Sequence, residues 1–361
     1  MSASTTLYFT PGPVPISQRT SMAMHELLYH KSEQFSMIHE ELKASLRHII
    51  HTDGEVLIAP GSGTTAAEII MRGMVPHGSR LLMLVNGRFS SRWSELGKLF
   101  GHDIHILETH WGTSFSEELL EDMLAKETFH SVWITHTETS TGITIPLEQY
   151  CSIIHRHSPE TFIIVDAVSS LILESINMQS YGVDCLFSAS QKALAAPPGA
   201  CIMALSDRAM RHCEENAYQH SIQQSMVHDL LSMIQASKLA QPRFTPPLPI
   251  ISALYASCRE IVNDPAYQEK LKMQSKRIRE MIMTWKGCSM NQGHYSTGVS
   301  VVHHEKAEEI VESLKQYGII IAGGQDAWKS QVFRIGHMVI YSESDLQRLD
   351  NSMQEILEHI A

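Results

Sequence analysis

The chain has no apolar run approaching the length of a membrane-crossing helix, so no helical span is expected. Its six cysteines, Cys151, Cys185, Cys201, Cys213, Cys258 and Cys288, contain no C-x-x-C spacing. The 21 histidines contain no H-E-x-x-H, so no metal site is expected. Lysine and arginine number 28 against 39 acidic residues, a formal charge of -11, and no basic stripe of the kind that neutralises phosphates appears; nucleic acid is not an expected partner. The first residues, MSASTTLYFTPGP, lack a basic and apolar targeting pattern, and a reduced, cytoplasmic protein is the expectation. No Gly/Ser linker, low-complexity tract or fixed-period repeat interrupts the 361 residues.

What is present is alternation. Short apolar runs are each followed by an amphipathic stretch: EVLIAP then TTAAEIIMRGMV, SRLLMLVN then SRWSELGKLFG, DIHILET then SEELLEDMLAKE, HSVWITH then LEQYCSIIHRH. TFIIVDAV, VDCLFSAS and GACIMAL follow. Continuous apolar strands separated by helices predict a mainly parallel sheet covered on both faces, a three-layer α/β/α domain. After PRFTPPLP the pattern changes to two long helical stretches and then to sparser strands, TGVSVVHH, GIIIAGG and QVFRIGHMV, closed by a terminal helix. We read an N-terminal arm over 1–16, a large α/β domain over 17–260 and a smaller α+β domain over 261–361.

In open α/β sheets ligands gather at the carboxyl ends of strands, so residues directly after the apolar runs are the candidates. APGSGTTAAE places Ser62, Gly63 and Thr64 in a glycine turn that opens a helix, where free N–H groups favour a phosphate; a plain structural turn fits the same pattern. FIIVDAVSS ends an apolar strand on Asp166, which reads either as a cap or as a functional carboxylate. Residues 185–206, CLFSASQKALAAPPGACIMALS, contain a single charge, Lys192. A lysine amine, a carboxylate and a phosphate cradle together meet the demands of pyridoxal 5'-phosphate (PLP): imine formation, protonation of the pyridine nitrogen and phosphate binding.

These residues lie in stretches that resemble the class V aminotransferases, fold-type-I PLP enzymes that include alanine-glyoxylate, serine-pyruvate and 2-aminoethylphosphonate-pyruvate aminotransferases. The stretches are TPGP (10–13), GSGTTA (61–66), NGRFSSR (86–92), THTETSTG (135–142), VDAVSS (165–170), YGVDCLFSASQKALAAPPG (181–199), RFTPP (243–247) and FRIGHM (333–338). The resemblance implies that Lys192 is the Schiff-base lysine and Asp166 the partner of the pyridine nitrogen. It implies that Gln191 joins Ser62, Gly63 and Thr64 at the phosphate, that Phe89 stacks on the ring and that Thr139 meets its phenolic oxygen. Arg334 is implied to grip the substrate carboxylate, and Thr245 to reach a neighbouring subunit's phosphate in a homodimer with composite sites. Two positions depart from the family pattern: Val339 stands where a glycine often follows, and Phe89 where Trp or Tyr is usual. The implied activity is ping-pong transfer of an amino group from a small amino acid or amino-phosphonate to a 2-oxo acid such as pyruvate or glyoxylate. A lyase of the cysteine desulfurase type is the alternative, for which Cys288 is the last thiol in the chain. Lys31, in HKSE, is a further position that could meet an anionic side chain.

Overall fold

The computed structural model describes residues 6–216, 225–238, 242–291 and 293–360; five residues of the arm, 1–5, lie outside them. Seven strands form the larger sheet: β2 (Glu55–Gly61), β3 (Arg80–Val85), β4 (Asp103–Glu108), β5 (Ser131–Thr135), β8 (Phe162–Asp166), β9 (Cys185–Ala189) and β10 (Gly199–Leu205). Before them in the chain comes β1 (Leu7–Phe9), and the short hairpin β6 (Thr137–Glu138) and β7 (Ile143–Thr144) follows β5. The order is β2-β10-β9-β8-β5-β3-β4, with every pair from β9 to β4 parallel and β10 antiparallel to both of its neighbours. The fold is thus the fold-type-I α/β architecture with a mainly parallel sheet.

The continuous apolar texture of these strands has a direct cause. Along β3, Leu82 and Leu84 enter one core while Leu81, Met83 and Val85 enter the other; along β8, Ile163 and Val165 separate in the same way from Phe162 and Ile164. Alternate side chains point to opposite faces, and both faces are buried. Each such side chain removed from water contributes about 1.5–3 kcal/mol. Around the sheet stand α1 (Gln18–Ala23), α2 (Glu33–Ile50), α3 (Gly63–Gly73), α4 (Arg88–Leu99), α5 (Glu117–Lys126), α6 (Leu147–His157), α7 (Asp207–Glu215), α8 (Leu230–Lys238) and α9 (Leu248–Val262).

A second sheet has the order β1-β13-β14-β12-β11, built from β11 (Ser289–Met290), β12 (Val299–His303), β13 (Ile319–Gly323), β14 (Val332–Gly336) and the N-terminal β1. Its core includes residues of α10 (Tyr267–Thr284), α11 (Ala307–Gln316) and α12 (Glu343–Ile360). Strand β1 pairs in parallel with β13, Leu7 opposite Ile319, so the arm is part of the C-terminal sheet. No helix of the described residues is long and apolar enough to cross a membrane.

A buried carboxylate paired with a partly exposed arginine ties the parallel strands to a helix. Asp184 accepts from the Ile163 backbone N–H at 2.9 Å, from Arg208 Nε at 2.9 Å and Nη2 at 2.7 Å, and from Ser206 Oγ at 3.2 Å. Removing the carboxylate leaves Arg208 Nε and the buried Ile163 N–H without their acceptor, while Nη1 and Nη2 keep the Pro159 and Thr161 carbonyls. Asp184→Ala is expected to lower unfolding stability in urea by about 2–4 kcal/mol, and a loss below about 1 kcal/mol would overturn this account.

Candidate active site

The carboxyl ends of the central strands converge on one place because the strands run parallel. In register, Thr135 lies opposite Asp166 and Asp166 opposite Phe187, so β5, β8 and β9 finish side by side. Gln191 and Lys192 follow β9 in a tight turn.

Asp166 is buried and its carboxylate meets neutral donors only. Oδ1 accepts from the Val168 N–H at 2.9 Å, and Oδ2 accepts at 3.1 Å from Trp93 Nε1, which also donates to Thr135 Oγ1. Burial raises its pKa from 3.8 to about 7, with the charge of Glu138 adding to the rise, while the two hydrogen bonds and the Lys192 charge oppose it. Lys192 moves the other way: burial lowers its amine from 10.5 to about 8, helped by the Arg334 and Arg92 charges and resisted by Asp166. Its Nζ donates to the Pro11 carbonyl oxygen, and a Cβ on Gly12 would lie 2.5 Å from Lys192 Cδ. The TPGP arm therefore rests directly on the lysine, and only a glycine fits at position 12.

Ser62 caps α3, and its own N–H donates to Thr65 Oγ1 at 3.0 Å. Gly63 opens the helix where a Cβ would lie 2.5 Å from Val168 Cγ2, two residues beyond Asp166. Thr64 Oγ1 accepts from Arg92 Nη1 at 3.4 Å. Gln191 has a buried side-chain Oε1 without a hydrogen-bond partner, and its backbone oxygen accepts from Val14 at 3.2 Å. Phe89, half-buried in the first turn of α4, lies under the Arg92 guanidinium at 5.2 Å.

Glu138 was not singled out from the sequence, yet it organises this side of the site. Fully buried, it accepts through Oε2 from the Phe89 and Ser90 N–H groups at 2.9 Å, and through Oε1 from Ser140 Oγ at 2.6 Å. A carboxylate placed at the unsatisfied N–H groups of a helix start is favourable there. Next to it Thr139 is buried, and its carbonyl oxygen accepts from Arg334 Nη1 at 3.3 Å. Arg334, 6% exposed on β14, also donates from Nε to the Gly323 carbonyl at 2.8 Å and from Nη1 to Gln325 Oε1 at 3.2 Å. Burial lowers its pKa from 12.5 to about 10.

Two candidates stand apart. Thr245 is exposed ahead of α9 and takes no part in the hydrogen bonds described above; Lys31 is exposed at the start of the chain's second helix. Trp93, Glu138, Arg92 and Arg88 are the residues that sequence reasoning missed. Cys288 is half-buried beside the small-sheet core, where burial pushes its thiol up to about 12, the opposite of what a nucleophilic thiol needs. Among the described residues no group of three or more His, Cys, Asp or Glu side chains is placed to hold a metal ion.

The residues fit PLP: a buried carboxylate with no cation in contact, a desolvated amine, an unpartnered glutamine oxygen and a glycine-opened helix start lie together. Fold and site define a PLP-dependent enzyme of fold type I. The chain belongs to the aminotransferase class-V family, whose model matches residues 15–349, and it is a PLP-dependent aminotransferase. It is 27% identical over 357 residues to the soluble hydrogenase 42 kDa subunit of Anabaena cylindrica, covering 96% of this chain and 92% of that one. To the L-aspartate–glyoxylate aminotransferase of Paracoccus denitrificans it is 27% identical, over 91% of this chain and 85% of that one. The solved structure of a subgroup IV aspartate aminotransferase from Thermus thermophilus superposes with a TM-score of 0.89 at 28% identity, covering 98% of this chain and all of that one.

The Asp166 shift has a definite sign. A carboxyl whose folded pKa lies above its unfolded one contributes stability that is present below about pH 4 and lost as pH rises through about 7. In urea unfolding of the cofactor-free proteins, the stability difference between Asp166→Asn and wild type should move in favour of the variant by roughly 2–4 kcal/mol between pH 4 and pH 8. A difference that stays flat over this range would contradict the buried, unpaired carboxylate.

Proposed function

We propose that this aminotransferase moves the amino group of a small amino acid or amino-phosphonate to a 2-oxo acid such as pyruvate or glyoxylate by a ping-pong sequence. In this reading Lys192 is the Schiff-base lysine. The observation that carries it is the pair Asp166 and Lys192: a carboxylate raised to about 7 and an amine lowered to about 8 after neighbouring parallel strands, each acting on the other. When bound, PLP supplies a carbonyl carbon that takes up amines and a ring that accepts an electron pair. Asp166 is positioned to hold the proton on the pyridine nitrogen. Lys192, once free, is neutral often enough near pH 8 to accept the substrate α-proton at Nζ and return it. Ser62, Gly63, Thr64 and Gln191 hold the phosphate, Phe89 covers a ring face and Thr139 meets the phenolic oxygen. Arg334, buried and already fixed by Gly323, Thr139 and Gln325, is oriented to clamp the substrate carboxylate with a planar fork.

The same reading includes a homodimer in which the exposed Thr245 reaches the neighbouring subunit's phosphate, a cytoplasmic location, and the division of the chain into an arm over 1–16, a large domain over 17–260 and a small one over 261–361. The names of the relatives support glyoxylate as an acceptor and aspartate among the donors.

Holoenzyme mixed with alanine, serine, aspartate or 2-aminoethylphosphonate, without an oxo acid, should release about one equivalent of oxo product per subunit and stop. Added glyoxylate or pyruvate should restart it, whereas sustained sulfide release from cysteine would overturn the reading. Borohydride reduction should leave the cofactor mass on the peptide that carries Lys192. Lys192→Ala should abolish that adduct and lower turnover by about 10²–10⁴-fold. Arg334→Ala is expected to cost about 2–4 kcal/mol in kcat/KM for carboxylate donors; an unchanged KM for all of them would make Arg334 structural.

A further inference from the structure

Beside the buried Arg334 stands a second guanidinium that the scheme above leaves without a task. Arg88 is the first residue of α4, where its backbone N–H donates to Ser140 Oγ at 3.1 Å, and its Nη1 pairs with Asp326 Oδ1 at 2.5 Å. Arg334 meanwhile holds Thr139 and Gln325. The two arginines are thus anchored on adjacent residues of the same two segments, 139–140 and 325–326. Arg88 is near enough for its charge to lower the Arg334 pKa further.

The two cations differ in how firmly they are held. Arg334 is 6% exposed and fixed by three acceptors, whereas in the Arg88–Asp326 pair the side chains are 42% and 48% exposed. An exposed ion pair contributes about 0–1 kcal/mol, so exchanging its carboxylate for another costs little. Asp326 sits in a left-handed backbone, φ 44°, a conformation that Asp and Asn tolerate better than most residues. A guanidinium already presented to a carboxylate, next to a fixed one, is the arrangement that two carboxylates on one small molecule require.

We propose that Arg88 is the residue that reads a second, side-chain carboxylate on the substrate, and that this carboxylate displaces Asp326 from it. Arg334 then takes the α-carboxylate and Arg88 the distal one, which selects dicarboxylic amino acids and their oxo acids. The inference rests on the transamination reading and assigns the anion-reading task to Arg88 in place of the exposed Lys31.

The test compares L-aspartate with L-alanine in the half-reaction of the holoenzyme, and succinate with propionate in equilibrium titrations of the same protein. Arg88→Gln should lower the aspartate-to-alanine ratio of kcat/KM, and the succinate-to-propionate ratio of affinities, by about tenfold or more. Asp326→Asn removes the competing carboxylate and keeps a residue tolerant of the left-handed backbone. It should raise both ratios, a change of opposite sign that loss of packing would not produce. Ratios within about twofold of wild type in Arg88→Gln, or moving the same way in both variants, would overturn the proposal. So would a wild-type enzyme that reacts with alanine and not with aspartate. If neither donor reacts, it is the transamination reading that fails, and the succinate titration still decides the role of Arg88.

Discussion

The site is organised around a carboxylate that the protein buries without giving it a cation to touch. Asp166 ends β8 between β5 and β9, with Trp93 and the Val168 N–H as its donors. Burying an ionised carboxylate costs several kcal/mol even after relaxation, and neutral hydrogen bonds offset only part of it. The fold tolerates this because the surrounding sheet is held by apolar burial on both faces, which does not depend on the site. On the proposed reading, a protonated ring nitrogen held here would offset that cost, and Asp166 is the carboxylate that would hold it. The depressed amine of Lys192 follows the same logic: burial and nearby arginines disfavour its proton and bring its pKa down to about 8.

Much of this was legible in the sequence because its physical causes are local. Strands buried on both faces must be continuously apolar, and the alternation of EVLIAP, SRLLMLVN and TFIIVDAV with amphipathic stretches led directly to the seven-stranded sheet. Asp166 and Lys192 stood out because each was the charge in an apolar setting. The antiparallel insertion of β10 between β2 and β9 left no such mark, since GACIMAL is as apolar as its parallel neighbours. Nor did β1: three residues, Leu7–Phe9, are too few to show a period, and their pairing with β13 spans most of the chain.

The residues missed share one property, that their role is set by contacts distant in sequence. Glu138 accepts from Phe89 and Ser90, 49 and 48 positions away, and Trp93 reaches Asp166 across 73. Within their own motifs they read as one acidic residue in TETSTG and one aromatic on the buried face of α4. The structure shows how close these two segments come at a glycine. Gly87 packs where a Cβ would lie 2.5 Å from both Glu138 Cγ and Ser140 Oγ, so the NGRF turn and the TETS turn must be close.

The arm shows why two sheets make one site. From β1, paired to β13, the chain passes Gly336, where a Cβ would lie 2.1 Å from the Thr10 carbonyl carbon. It then crosses Lys192, whose amine donates to Pro11, and returns through Val14 to the Gln191 carbonyl. Gly336 is two residues beyond Arg334 on β14. Lys192 follows β9 of the larger sheet and Arg334 lies on β14 of the second, and the TPGP segment packs against both neighbourhoods within five residues. A displacement of the small sheet relative to the large one would have to move that strap, so the spacing between amine and guanidinium is set by backbone packing. Backbone contacts of this kind hold a distance more rigidly than two long side chains could, each of which loses rotamer entropy when fixed. The Arg334 guanidinium is thereby kept in register with the Lys192 amine by the chain itself.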